Sequence, residues 1–443
     1  VLGCTSDAGK SLLAAALCRW FARQGVRVVP FKAQNMSNNA RVVDGGEIGV
    51  AQWLQAKGAR VEPTVQMNPV LVKPEADTRS QVVVHGHARR DIGDTPWSDR
   101  HDLVWSAMES SFDALRNDAD LVVLEGAGSP AEINLRDQVN NRMIEHADAA
   151  GLLVSDIDRG GSFAHLYGTW ALVPDATRDR LAGYVLNKFR GDASLLAPGP
   201  ERLDELTTMR HVGTVPVVAH ELPDEEAATV RARPVTPDAP VVAIARLPFA
   251  SNLDEFRLLQ RIAHVEFTDD PVAFDRADWV VLPGSKHVVS DLAWLRGSGL
   301  DSAVRRAVAQ GRHVLGICGG AMMLGARIDD PDGVEGGSCD GLAVLPFVTT
   351  MAPDKIVRRT ELDVDGLVVP GYEIRVGRVA SPYVRDGAVV ATTVHGLLES
   401  PEVLARWFGV PVPHDPLDAT LDLLADVVDE HLDTDSLWRF VDA

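Results

Sequence analysis

The 443-residue chain is 46% hydrophobic and 24% charged, the balance of a folded globular protein, and its length suits two domains of roughly 200 residues each. Its formal net charge of −20 argues against a nucleic-acid-binding surface, which needs a basic stripe to release counterions from phosphates. No apolar run reaches the length of a membrane span and no signal peptide precedes the first strand, so a cytoplasmic protein with neither membrane nor nucleic-acid partners is expected.

The chain opens "VLGCTSDAGKSLLAAAL". "VLG" reads as the tail of a strand and "SLLAAALCRWFARQG" as an apolar-rich helix, with Gly9, Lys10 and Ser11 forming the G-K-S ending of a phosphate loop between them. Five residues separate Gly3 from Gly9, whereas the common pattern has four. The chemistry survives the extra residue: N–H groups at a helix start, a mobile ammonium and a hydroxyl for a metal are all present. The apolar runs "VRVVPF", "DLVVLEGAG", "GLLVSDID", "LAGYVLNKF" and "VGTVPVV" follow, alternating with helical stretches. That alternation marks a parallel sheet with helices on both faces, whose functional residues sit at the carboxyl ends of the strands. Glu125 ends one such run at a Gly-rich turn, where a carboxylate needs a cation to offset its desolvation.

"HELPDEEAATVRARPVTPDAP" is acidic, then Pro-rich, and lacks apolar periodicity. It predicts a linker over 223–239, dividing a domain over 1–222 from a second over 240–443. The second series, "VVAIARL", "HVEFTD", "WVVLPGSK", "GRHVLGICGGAMMLG" and "AVVATTVHGLL", again alternates. The expected fold is two different α/β domains in series.

Four cysteines (Cys4, Cys18, Cys318, Cys339) lie too far apart for a disulfide framework or a zinc site. Cys318 stands out because Gly316, Gly319 and Gly320 surround it between a strand and a helix, the small-residue setting of a nucleophile on a sharp turn. A helix N-terminus favours the thiolate, and the N–H that follows can stabilise an oxyanion. "VVLPGSK" offers a second oxyanion turn at Gly284, and "TTVHGLL" places His395 at a strand end as a general base. Of seven lysines, Lys10, Lys32, Lys73, Lys188 and Lys286 fall beside Gly, Pro or Asn, a hint of small basic pockets.

The order LPGS, GICGG, VHG resembles the class I glutamine amidotransferase domain. Joined to the N-terminal "GCTSDAGKS" it resembles the cobyric acid synthase family, the glutamine-dependent amidases of corrin biosynthesis. Further support comes from "PFKAQNMSNNA", "GGEIGVAQ", "MNPVLVKP", "QVVVHG", "EGAGSPAEINL", "DIDRGGSFAHLYGT", "LNKFRGD", "LPGSK" and "GYEIR", which run from one end of the chain to the other. The first domain of that family is similar to dethiobiotin synthetase, whose phosphate loop also has five residues between its glycines.

The resemblance implies that Cys318 attacks the side-chain amide of L-glutamine, that His395 moves the protons, and that Gly284 and Gly319 give oxyanion N–H groups. It implies that ATP lies on Thr5, Ser6, Asp7, Ala8, Gly9, Lys10 and Ser11, that Asn187 reads the adenine, and that Ser11, Glu47 and Glu125 hold Mg²⁺. Lys32 is implied to stabilise a carboxyl group as it takes the γ-phosphate, and Asn35, Gln52, Asn68, Lys73 and Arg159 to contact the corrin. The reaction implied is amidation of the b, d, e and g carboxylates of adenosylcobyrinic acid a,c-diamide. The alternatives are a cobyrinic acid a,c-diamide synthase or another ATP-dependent glutamine amidotransferase; the oligomeric state stays open. Two positions depart from the family, Met322 where a Gln is usual and Arg375 where a His is common; Leu397, where class I domains usually carry the triad carboxylate, follows the habit of this subfamily. A Cys-His dyad is therefore expected, with Glu399 the nearest acidic residue in sequence.

Overall fold

A computed structural model describes residues 1–76, 79–93, 95, 97–134, 139–220, 222, 235–412 and 417–441. Residues 223–234 of the expected linker lie outside them.

The first domain is built on a parallel sheet in the order Leu2–Gly3, Gly151–Asp156, Leu181–Phe189, Arg210–Pro216, with Val28–Phe31 and Leu121–Leu124 pairing in parallel beside it. Every residue of Gly151–Asp156 is buried, as a strand covered on both faces requires. The helix Lys10–Arg23 begins at Gly9, whose φ of 95° is left-handed. A Cβ at that position would lie 2.0 Å from Asn187 Nδ2, so both conformation and space select glycine. Two hairpins project from this core: Ala40–Val43 with Gly46–Gly49, and Val70–Ala76 with Arg79–Val84.

The second domain has a six-stranded sheet in the order His264–Thr268, Val241–Ala245, Trp279–Leu282, His313–Ile317, Val389–Thr392, Tyr383–Asp386, parallel except for the last strand. Alongside it runs a long antiparallel hairpin, Val348–Val364 with Leu367–Arg378. Its turn is Asp365–Gly366, both at positive φ (53° and 85°), the Asp-Gly pair that a tight hairpin favours. The core of this domain is one apolar cluster that includes Val242, Ile244, Val280, Leu282, Val314 and Leu315.

The chain then returns. Helices Leu417–His431 and Thr434–Val441 pack on Lys10–Arg23, and Leu421, Leu424, Val428, Leu432 and Leu437 join the first domain's apolar cluster with Leu13, Leu17 and Phe21. Each such side chain contributes roughly 1.5–3 kcal/mol on burial. Arg19, almost wholly buried, pairs with Asp418 at 2.6 Å, and Trp20 Nε1 donates to Asp429 at 2.5 Å. The end of the 240–443 stretch therefore packs, through the amphipathic face of these helices, on the first domain.

The domains meet where the Ala40–Val43 hairpin and Leu71 and Val83 form an apolar cluster with Tyr372 and Ile374 of the second. Among the described residues, no helix is long and apolar enough to cross a membrane. Replacing Leu424, 1% exposed, by Ala is expected to cost about 2–4 kcal/mol in urea unfolding. Val272→Ala, at a position 56% exposed, should stay within about 0.5 kcal/mol of the parent.

Candidate functional site

Two sites form at the carboxyl ends of the two sheets. In the first, the loop from Thr5 to Ser11 wraps the start of the Lys10–Arg23 helix, with Lys10 Nζ donating to the Thr5 carbonyl at 3.2 Å. A Cβ at Gly3 would sit 2.8 Å from that ammonium, so the first glycine of the loop is the one against which Lys10 lies. Asn187 donates to the Ala8 carbonyl at 2.9 Å. Beside Asn187 lies an apolar cavity of about 350 Å³, solvent-facing space included, bounded by Leu12, Ala16, Val215, Leu424 and Val428.

Glu125 is the hub of this site. Its Oε1 accepts from Ser11 Oγ at 2.7 Å and Lys32 Nζ at 2.9 Å, and its Oε2 from Gln55 at 2.5 Å and Gln52 at 3.5 Å. Burial alone would raise the pKa of this carboxyl, but Lys32, followed by the hydrogen bonds of Ser11 and Gln55, holds it below the ordinary value. Gln52 Oε1 accepts from Asn35 at 2.9 Å, while Asn68 donates to the Lys32 carbonyl at 3.2 Å and accepts from Gly49 N at 3.0 Å. Lys32, Asn35, Gln52, Asn68, Ser11 and Glu125 thus form one hydrogen-bonded group.

Glu47, Lys73 and Arg159 do not join them. Both Glu47 oxygens are taken by ammoniums, Lys73 at 2.5 Å on one and Lys355 on the other. Burial would raise the Glu47 pKa, but Lys355, Lys73 and Lys286 overcome it and push it far down. Glu47 is therefore held as an ion-pair partner between the two domains, while Ser11 and Glu125 bond each other and Glu125 bonds Lys32, Gln52 and Gln55. Lys73, 1% exposed, is paired with Glu47. Arg159 instead bonds Asp7 at 2.7 Å on the outside of the phosphate loop, where Lys188 also reaches Asp7 and Asp156.

In the second site Cys318 follows the strand His313–Ile317 with φ 50° and ψ −107° and precedes the helix Gly319–Leu324. For a residue with a Cβ this is a sparsely populated conformation that the surroundings must enforce. They do so by closeness: a Cβ at Gly320 would lie 2.0 Å from the Leu282 carbonyl oxygen. Cys318 Sγ lies 3.7 Å from the Ile374 carbonyl oxygen, to which it donates. The Gly284–Ser285 turn closes over both partners, since added Cβ atoms at Gly284 and Gly319 would meet His395 Cε1 at 3.0 Å and Ser285 Cβ at 2.7 Å. Ser285 Oγ is anchored on Asp291 at 2.6 Å.

His395 is flanked by Cys318 on one side and by Glu255 on the other, with Nδ1 3.0 Å from Glu255 Oε1. Glu255 also accepts from Gly396 N at 3.2 Å. Burial would depress the imidazolium, but the carboxylate of Glu255, then Cys318, outweighs it and raises the pKa to about 10. The expected dyad is therefore a triad. Its carboxylate lies 140 positions from the histidine, on the turn Leu253–Phe256. Its one sequence signal was position: "NLDEF" follows the carboxyl end of the Val241–Ala245 strand. Glu399 is not the partner; it pairs with Arg41 at 2.5 Å. Met322 is buried against Gly377, and Arg375 pairs with Glu373 at 2.6 Å.

A phosphate loop backed by a lysine-held carboxylate, joined to a Cys-His-Glu nucleophile centre, defines an ATP-dependent synthetase fused to a glutamine amidotransferase. Family models agree: residues 1–231 match the CobQ/CobB/MinD/ParA nucleotide binding domain and residues 241–403 the CobB/CobQ-like glutamine amidotransferase domain. The chain is 48% identical to a protein of Variovorax paradoxus named cobyric acid synthase, over 100% of this chain and 98% of that one. It is 49% identical to one of the same name from Paracidovorax citrulli, over 99% and 97%. The chain belongs to the cobyric acid synthase family, glutamine amidotransferase-type ligases of cobalamin biosynthesis.

A histidine whose pKa rises on folding contributes stability that is fully present below its unfolded value of 6.5 and lost as pH climbs through about 10. Urea unfolding of the parent should therefore weaken over that window. In Glu255→Gln the loss should be smaller and complete at lower pH, because the largest favourable contribution to the imidazolium is gone.

Proposed function

We propose that this protein amidates the b, d, e and g carboxylates of adenosylcobyrinic acid a,c-diamide, using ATP to activate each carboxylate and ammonia released from L-glutamine to displace the phosphate. The observation that carries this reading is the pairing of Lys32 with Glu125 beside the phosphate loop, in the same chain as the Cys318–His395–Glu255 centre. One site makes an acyl donor; the other makes its nucleophile.

In the glutaminase half, the Cys318 sulfur attacks the glutamine amide carbon while N–H groups of Gly284 and Gly319 stabilise the oxyanion. His395 takes the proton of the Cys318 thiol as the sulfur attacks and passes it to the departing ammonia, and Glu255 keeps the ring oriented and its charge offset. The glutamyl thioester left on Cys318 is then cleaved by water that His395 deprotonates.

In the synthetase half, Lys10 and the amides of Thr5 to Ser11 hold the phosphates, Asp7 meets the nucleotide or its loop, and Asn187 faces the base from the edge of the apolar cavity. Lys32 meets the negative charge that develops between carboxylate and γ-phosphate. The Ser11 hydroxyl and Glu125 carboxylate, 2.7 Å apart, are the hard oxygen donors that Mg²⁺ prefers, and the ion would neutralise phosphate charge when bound. Asn35, Gln52 and Asn68, which are hydrogen-bonded around Lys32 and Glu125, would meet the substrate carboxylate. ATP and glutamine are metabolites of the cytoplasm, which makes the cytoplasm part of the proposal.

The division of labour gives the test. Cys318→Ser should lower glutamine hydrolysis by at least about 10³-fold yet still amidate the corrin with ammonium salts. Lys10→Ala should abolish amidation from either nitrogen source and leave glutamine hydrolysis within about threefold of the parent. Mass analysis of the product should show four added amides; addition at the a and c positions instead, or failure of ammonia to rescue Cys318→Ser, overturns the reading.

A further inference from the structure

The hairpin Ala40–Val43/Gly46–Gly49 belongs to the first domain, yet the Arg41 it carries is buried against the second. Its guanidinium pairs with Asp254 and, at 2.5 Å, with Glu399. The same group lies 5.0 Å from the centroid of the Trp53 ring and 5.4 Å from that of Tyr372. Its neighbours grip the same turn: Ala40 N donates to Asn252 Oδ1 at 3.1 Å, and Leu253 N donates to Asn39 Oδ1 at 3.3 Å.

Two of Arg41's contacts, Asp254 and Tyr372, lead to His395. Asp254 directly precedes Glu255, whose carboxylate meets the imidazole Nδ1. The Tyr372 ring stacks on the imidazole, with centroids 5.4 Å apart and planes 21° from parallel, and the two backbones exchange hydrogen bonds of 3.1 and 2.8 Å. One buried cation from the first domain therefore holds the carboxylate arm and the aromatic wall of the histidine at once, and does so without reaching the sulfur.

We propose that Arg41 is a positioning residue for glutamine hydrolysis: the docked hairpin of the synthetase domain holds the Leu253–Phe256 turn and the Tyr372 ring so that His395 is aimed at Cys318. The inference rests on the reading of Cys318, His395 and Glu255 as the glutaminase centre. It makes the ammonia-producing site complete only when the ammonia-consuming domain is seated against it.

The test uses the full-length protein and three measurements: glutamine hydrolysis, amidation driven by ammonium salts, and thermal unfolding. In Arg41→Met, kcat for glutamine hydrolysis should fall on the order of 10- to 100-fold, as small misplacements of a catalytic group do. KM for glutamine and the ammonia-driven rate should stay within about threefold. Arg41→Lys, which keeps a cation but cannot bridge both carboxylates, should recover part of kcat. Unchanged kcat in a folded Arg41→Met overturns the proposal. So does a parallel loss of the glutamine- and ammonia-driven reactions, which marks a general structural role. If the parent shows no hydrolysis that depends on Cys318, the underlying reading of the site fails instead.

Discussion

A buried charge must be paired, and that constraint organises this protein more than any other. An uncompensated carboxylate in a low-dielectric interior costs several kcal/mol, comparable to the whole margin by which a domain is folded. Glu125, Glu47, Asp254 and Glu255 are all nearly or wholly inaccessible, and each has its own cation or imidazole: Lys32, the pair Lys73 and Lys355, Arg41, and His395. Removing one member leaves the other stranded, so these pairs fix where the loops carrying them lie. Function exploits the same arrangement, because a cation held beside a buried carboxylate is already oriented for the negative charge of a reacting group.

Two of those pairs cross from one domain to the other. Lys355 of the second domain reaches Glu47 and Gln81 of the first, Lys286 also reaches Gln81, and Arg41 reaches the other way. Between them sits the apolar patch of Ala40, Val42, Leu71, Val83, Tyr372 and Ile374, whose Ile374 carbonyl accepts from the Cys318 thiol. Asn35, of the Lys32 group, is the strand partner of Leu71 in that patch. The two reaction centres are thus joined by one contiguous set of buried residues. A chain of charge −20 places most of its few lysines at the phosphate loop, beside Glu125 and at this seam.

The features legible in the sequence were those whose chemistry needs neighbouring residues. A phosphate loop must present consecutive amides and its lysine within one turn, and a cysteine elbow must have glycines beside it, so Lys10, Ser11, Gly319 and Cys318 announced themselves. His395 and Glu125 could be read because each ends an apolar strand. Partners supplied by the fold left no such trace. Glu255 reaches His395 across 140 positions and Lys355 reaches Glu47 across 308. Glu47 illustrates the difficulty, since a carboxylate in a Gly-rich hairpin reads the same whether it faces a metal or two ammoniums. The long hairpin at Asp365–Gly366 had its turn in plain sight, but Pro353, Pro370 and a run of charges obscured the strands around it.

The return of the chain to the first domain was hidden for a different reason. An amphipathic helix such as Leu417–His431 shows that it covers something, not what it covers. Because it covers Lys10–Arg23 and borders the cavity beside Asn187, the amidotransferase domain is held between two parts of the synthetase domain and is tethered at both ends. Two covalent connections raise the effective concentration of one interface for the other far above what a single linker provides. Undocking must then either break the packing of Leu421, Leu424 and Val428 on the phosphate-loop helix or move the whole second domain within the reach of its two connections. Either route is costly. A domain seam that carries buried ion pairs can remain closed under that restraint without a large apolar interface; the apolar patch here is Ala40, Val42, Leu71, Val83, Tyr372 and Ile374.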